Sequence, residues 1–379
     1  MWDKMKNVIA FVKKETVLVI ATILAVISAF FVKPGSGYLD YIDFRVLGIL
    51  LSLMIIMAGW QKNGMFDAVG LWLLARTKNT VQLVGVLVFL CFFFSMIITN
   101  DVALLTFVPF AVVMLQRCNQ ERLMVLVLVL QTIAANLGSM LTPIGNPQNL
   151  YLYNLSGMGV GEFIKVMLPY TAISGLLFAI VIFVLGARKQ PLEGIRKDNT
   201  SSMDAGSRKK NPIYLILFIL SLLVVVRVIP YYWVLMLVLV VVFFMDRSVL
   251  YDVDYCLLLT FVSFFIFTGN MGNLPAVRDT LQNLVAGREL GIGILASQVV
   301  SNVPAALLLS GFTSDYKQLL LGVNIGGLGT LIASMASLIS YKIYAHNYNR
   351  TKGIYLLWFT VANLLFLGIL ALVAVGWNI

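Results

Sequence analysis

Apolar runs long enough to cross a ~30 Å hydrocarbon core as helices recur from one end of the chain to the other, with short polar segments between them. Nine read as full spans: 16–33, 44–61, 122–153, 163–186, 212–229, 231–246, 254–271, 318–345 and 354–376. Two further stretches depart from this pattern. Residues 80–116 are apolar except for Thr99-Asn100-Asp101 at their middle, and residues 289–314 are apolar around Ser301-Asn302, with Pro304 just after. Two arms of ~15 residues each reach only about 22 Å at 1.5 Å per residue. Each stretch is therefore expected to be a re-entrant hairpin, with its polar tip buried in protein or lining a wet cavity.

Two of the spans carry helix breakers. In the first, Asn136-Leu-Gly-Ser-Met-Leu-Thr142-Pro-Ile-Gly145-Asn146-Pro-Gln-Asn149 matches, in register, Asn324-Ile-Gly-Gly-Leu-Gly329-Thr330-Leu-Ile-Ala-Ser334-Met-Ala-Ser337 in the second. Asn, Gly and Thr coincide, and Asn146 and Asn149 stand opposite Ser334 and Ser337. Each motif follows a hairpin and precedes one more span. A span opening on an acid, Asp43 or Asp254, comes before each hairpin. The chain is expected to be all-α and polytopic, built from two repeats on either side of a polar linker at 187–211.

Composition excludes a soluble domain. The 379 residues are 60% apolar and 12% charged, about half the charge of a typical globular chain. The formal charge of +10 does not point to nucleic acid, because Lys and Arg lie between the runs, where they set topology. The N-terminus is placed in the cytoplasm, and each hairpin is taken to return to the side it left. The outside then collects only Lys33, Arg45, Lys165, Arg227, Arg278, Arg288 and Lys317 of the 27 basic residues. The inside collects the rest, including Lys4, Lys6, Lys13 and Lys14 and seven in the linker. This orientation fits a multi-pass inner-membrane protein whose halves are inverted, the first hairpin opening inward and the second outward. Cys91, Cys118 and Cys256 form neither a disulfide framework nor a metal spacing, and His346 stands alone. There is no phosphate loop, triad or metal cluster, so neither an enzyme, a cofactor nor an ATP-driven pump is expected.

A broken helix frees carbonyls at one half-end, which suit a cation, and N–H groups at the other, which suit an anion. Such sites need no buried Lys or Arg, and none lies mid-span in the hairpins or breaks. The candidate anion site is Thr99, Asn100, Asn146, Ser301, Asn302 and Ser334. The candidate coupling site is Asn100, Asp101, Thr142, Gly145, Asn149, Asn302, Gly329 and Thr330, with Na⁺ placed at Asn100, Thr142, Asn302 and Thr330. Asp101 is a carboxylate at membrane depth, a functional position by default. It is expected to exchange a proton for substrate or Na⁺. Gly59 and Gly269 occupy matching places suited to close packing. Trp60, Tyr231, Tyr232, Trp233 and Trp358 read as interface anchors, and Asp315 and Lys317 end the second hairpin at the surface.

At Ile98-Thr-Asn-Asp-Val-Ala-Leu-Leu-Thr-Phe-Val-Pro109, Asn136–Asn149, Ser301-Asn-Val-Pro304 and Asn324–Ser337 the chain resembles the ion transporter superfamily. The similarity is greatest to its arsenite permease, sodium/proton antiporter and citrate–metal symporter branch, with divalent anion/sodium symporters as more distant relatives. That resemblance implies an elevator-type secondary transporter acting as a homodimer. It assigns 1–79 and 212–288 to a scaffold, 80–186 and 289–379 to a mobile transport domain, and 64–78 and 272–288 to interfacial arm helices. It implies a small anionic substrate, organic or inorganic, with Na⁺ or H⁺ as the coupling ion. An arsenite-like efflux permease or a cation/proton antiporter is the alternative, and a channel is a third. The dicarboxylate relatives carry Ser-Asn-Thr at both tips. Here Asp101 and Val303 replace the two threonines, which removes hydroxyls expected to hold a succinate-like substrate.

Overall fold

The computed structural model describes residues 15–35, 37–185, 190–191 and 205–377. The basic residues Lys4, Lys6, Lys13 and Lys14, and most of the linker at 187–211, lie outside these. The described residues form helices, with no strand beyond a single bridge between Asn79 and Pro191.

The first half opens with α1 (Thr16–Phe31), the short α2 (Tyr38–Tyr41), α3 (Phe44–Lys62) and α4 (Met65–Leu74). The first hairpin is α5 (Thr80–Phe94) and α6 (Asn100–Arg117). The first broken helix is α7 (Met124–Ser139) and α8 (Pro147–Ser156), followed by α9 (Val160–Leu185). The second half runs α10 (Ala205–Val225), α11 (Tyr231–Asp246), α12 (Tyr255–Gly272) and α13 (Pro275–Val285). Its hairpin is α14 (Glu289–Val300) and α15 (Asn302–Ser310), its broken helix α16 (Tyr316–Gly326) and α17 (Met335–Asn347), and its last helix α18 (Lys352–Gly376). At each expected hairpin two helices meet at the polar tip, and at each expected break two helices are joined through the polar motif.

Local chemistry sets the boundaries. Asp43, Asp254, Asn79 and Asp315 each accept the N–H three residues on, at 3.0–3.1 Å, the usual way to satisfy a free donor at a helix start. Pro147 and Pro275 occupy first-turn positions, where a missing N–H costs nothing.

Among the described residues, seven helices are long and apolar enough to cross a membrane, and one of them is α6. At 18 residues it reaches about 27 Å, longer than the ~15-residue arm expected from the position of the tip. The arms of the second hairpin are shorter than expected, at 12 and 9 residues.

Loop contacts sort into two sets at opposite ends of the spans. At one end, Lys62 and Lys210 both pair with Asp246 at 3.1 Å. At that end Gln190 also meets Thr80 and Arg122, and Gln116 donates to Tyr348 at 2.9 Å. At the other end, Asn154 bonds Asp43, Arg227 donates to the Gly157 carbonyl at 3.0 Å, and Lys317 pairs with Glu162 at 2.7 Å. The base of the first hairpin belongs to the first set and that of the second hairpin to the other.

Core packing follows from small residues facing large ones. A Cβ on Gly59 would lie 2.2 Å from the Tyr214 ring, and one on Gly269 2.4 Å from the Tyr41 ring, so the two matching glycines each seat a tyrosine. Tyr232, Trp233 and Trp358 are exposed and fit interface anchors, while Tyr231 is half-buried. Trp60 is not such an anchor. It is 4% exposed, with the Phe66 ring edge-on to it and the Phe218 ring tilted against it, because α4 folds back over the end of α3. In each half the first hairpin arm lies along the first half of the broken helix: α5 on α7 and α14 on α16.

Candidate functional site

Each hairpin tip docks on the broken helix of its own half through the same backbone bond. The Asn100 N–H donates to the Gly145 carbonyl at 3.2 Å, and the Asn302 N–H donates to the Ala333 carbonyl at 2.9 Å. A second contact also repeats. The Thr142 hydroxyl donates to the Met96 carbonyl, and the Thr330 hydroxyl donates to the Gln298 carbonyl at 3.2 Å. Both tip asparagines turn their side-chain oxygen onto the next N–H, that of Asp101 at 3.0 Å and that of Val303 at 2.9 Å.

The halves are tied together at their centre. Asn136 Oδ1 accepts from Asn100 Nδ2 and from Ser334 Oγ, both at 2.9 Å. Its own Nδ2 donates to the Gly327 carbonyl and to Ser337 Oγ, both at 3.4 Å. The counterpart of Asn136 is Asn324, which donates to Asn149 Oδ1 at 2.7 Å. Asn136 and Asn324 open the two matched motifs, and Asn149 and Ser337 close them. The cross-half contact is thus reciprocal, as at a two-fold interface.

At each break one side-chain amide bridges several carbonyls. Asn149 Nδ2 donates to the carbonyls of Ser139 and Thr142 at 3.1 Å and of Met140 at 3.4 Å. Gln298 Nε2 donates to those of Gly326 at 2.8 Å, Leu328 at 2.9 Å and Ile294 at 3.2 Å, while its Oε1 accepts the Thr330 N–H at 2.9 Å. Gly329 passes beneath this amide at φ +107°, and a Cβ there would lie 2.3 Å from Gln298 Oε1.

The tips are not identical. Ser301 sits at φ +76°, a conformation costing a non-glycine residue roughly 1–3 kcal/mol and held here by the Asn302–Ala333 bond. Thr99 at the equivalent place is ordinary extended backbone.

Among the sequence-chosen residues, Asn100, Asn146, Asn149, Ser301, Asn302 and Ser334 are buried, as are Gly145 and Gly329. Thr99, Asp101 and Thr142 are half-buried, and Thr330 is exposed at the edge, bound to Gln298. Asn146 Nδ2 donates to Ser139 Oγ at 2.6 Å. Four side-chain oxygens here are buried without a hydrogen-bond partner: Asp101 Oδ1, Asn146 Oδ1, Gln148 Oε1 and Asn324 Oδ1. Gln148 Nε2 is the matching unpartnered donor. Sequence reasoning passed over Gln148 and Gln298. Both are amides inside apolar surroundings, the same signal that singled out Asn100. Asp101 is the only charged side chain in 80–116 and 124–156, so these first-half segments are otherwise neutral.

The sequence profile of the citrate transporter family matches residues 5–314. The chain belongs to the citrate transporter family, within the ion transporter superfamily. The match takes in both hairpins and the first break and stops before the second broken helix. An uncharacterized transporter of Methanocaldococcus jannaschii is 32% identical over 80% of this chain and 81% of its own length. The inner membrane protein YbiR of Escherichia coli is 30% identical over 80% of each. A 46 kDa membrane protein of Mycobacterium leprae is 22% identical over 80% of this chain and 79% of itself. The protein is a multi-pass membrane transporter of this family.

Proposed function

We propose that this citrate-transporter-family protein is a secondary active transporter of a small anion, an organic carboxylate or an inorganic oxyanion. It works in the inner membrane, with its N-terminus in the cytoplasm. Its two halves are inverted repeats, and its hairpins and broken helices form a transport domain that moves against a dimeric scaffold. The observation that carries this reading is the repeated set of bonds: tip to break in each half, and the reciprocal pair across the halves. Inverted repeats with broken helices place a substrate site at their interface. There the starts of α8 and α17 offer N–H groups, and Gln148 Nε2 offers a further donor, so an anion is held without a fixed cation. The family's name supports a carboxylate.

Coupling falls to Asp101, the one carboxylate at the site. Its presence where dicarboxylate relatives carry Thr also supports a second reading, efflux of an arsenite-like oxyanion or cation/proton exchange. Purified protein in liposomes is expected to accumulate a labelled anion above equilibrium under an imposed pH gradient or Na⁺ gradient, and an ionophore should abolish the accumulation. Flux that only equilibrates would show a channel and end the proposal. Screening citrate, succinate, phosphate, sulfate and arsenite in the same assay separates the substrate classes.

A further inference from the structure

We propose that the amide of Gln298 is a built-in substitute for a monovalent cation at the second break, so that this break takes no coupling ion. The inference rests on the secondary-transport reading and deepens it, because it removes one of the two places where Na⁺ could couple.

Ending a helix at Gly326 leaves carbonyls that need either donors or a cation. Rings of backbone carbonyls bind monovalent cations in place of water, and Gly326 and Leu328 present such a pair. Gln298 Nε2 already lies within 2.8–3.2 Å of three carbonyls. An amide has two hydrogens, so its donor capacity is fully used. Its oxygen is anchored on the Thr330 N–H at 2.9 Å, which fixes the orientation of the amide.

The comparison with the first break argues that the break itself demands such a group. The hairpin position equivalent to Gln298, counted from the tip asparagine, is Met96, which cannot donate. There the amide comes from Asn149 instead, reaching three carbonyls from the far side of the break. The position equivalent to Asn149 is Ser337, which does not reach the second break's carbonyls. Each break therefore has one amide that bridges several of its carbonyls, delivered from non-equivalent elements; at the second break Asn136 reaches only Gly327, at 3.4 Å. Shared ancestry would have put the same residue in the same place. A common physical need, a donor at the carbonyl cluster, explains the exchange. A Na⁺ ion on the same carbonyls would have to expel the amide and strand its N–H groups. The second break then contributes no ion to coupling.

The test is thermal unfolding of the full-length protein in detergent, comparing NaCl with choline chloride at equal ionic strength. Gln298→Met installs the residue that the first hairpin carries at this place. In choline chloride it is expected to melt below the parent. Na⁺ should then raise its Tm by about 2–4 °C or more beyond any rise seen for the parent. Gln298→Glu keeps an oxygen for Thr330 but replaces the donor by a carboxylate, and should show the same Na⁺-selective gain. It serves where the Met variant does not fold. A Na⁺ response of either folded variant no larger than the parent's overturns the proposal. The readout is stability, so it decides the role of Gln298 even if the liposome assay finds no accumulation.

Discussion

Alanine at Asn100 or Asn302 should cut transport per folded molecule more than tenfold while leaving most of the protein folded. Asn100 joins three things at once: its N–H holds the Gly145 carbonyl, its Nδ2 holds Asn136, and its Oδ1 caps Asp101. Truncation keeps the backbone bond but frees Asn136 Oδ1 from one of its two donors and loosens the hub that ties the halves. Asn302 repeats the backbone and capping bonds in the second half. If these side chains were only interhelical glue, each would contribute about 1 kcal/mol of stability, worth roughly 2–4 °C in Tm. Transport by the surviving folded protein would then be normal. Uptake normalised to folded protein, measured beside a melting curve, separates the two outcomes. A Tm loss with full normalised uptake removes the tips from the site.

Asp101→Asn should abolish gradient-driven accumulation while sparing exchange. Asp101 is the only charged side chain within 80–116 and 124–156, and its Oδ1 is buried without a partner. Asparagine keeps the shape and a hydrogen-bonding head but cannot take up or release a proton. One coupled proton and a one-unit pH gradient support about tenfold accumulation, or about 1.4 kcal/mol. The parent should approach that ratio and the variant should stay near equilibrium, with counterflow of labelled against unlabelled anion retained. Equal accumulation by both proteins, with unchanged pH profiles, makes Asp101 structural.

Much of this arrangement is legible in the sequence because breaking a membrane helix takes unusual residues. Thr142-Pro-Ile-Gly-Asn-Pro and Gly326-Gly-Leu-Gly cannot continue an uninterrupted ladder of backbone bonds, and both segments are breaks in the structure. Asp43 and Asp254 are legible as acids opening matched spans, and in the structure each caps its helix. What was hidden depends on who meets whom in space. The two breaks look alike in sequence, but their carbonyls are served by Asn149 in one half and Gln298 in the other, a swap that matching residues in register conceals. The burial of Trp60 depends on α4 folding back, which no local pattern announces. Arm lengths are not legible, because the tip marks where a hairpin turns but not how far each arm runs.

The inversion of the two halves is the central claim, and labelling of the hairpin bases tests it most directly. In a background with Cys91, Cys118 and Cys256 replaced, single cysteines are placed at Asn119, beyond the end of α6, and at Ser314, beyond the end of α15, both exposed. A membrane-impermeant maleimide applied to intact spheroplasts should label the Ser314→Cys protein and not the Asn119→Cys protein, which should react only after permeabilisation. Labelling of both positions from the same side would contradict the inverted repeat and the transport mechanism built on it.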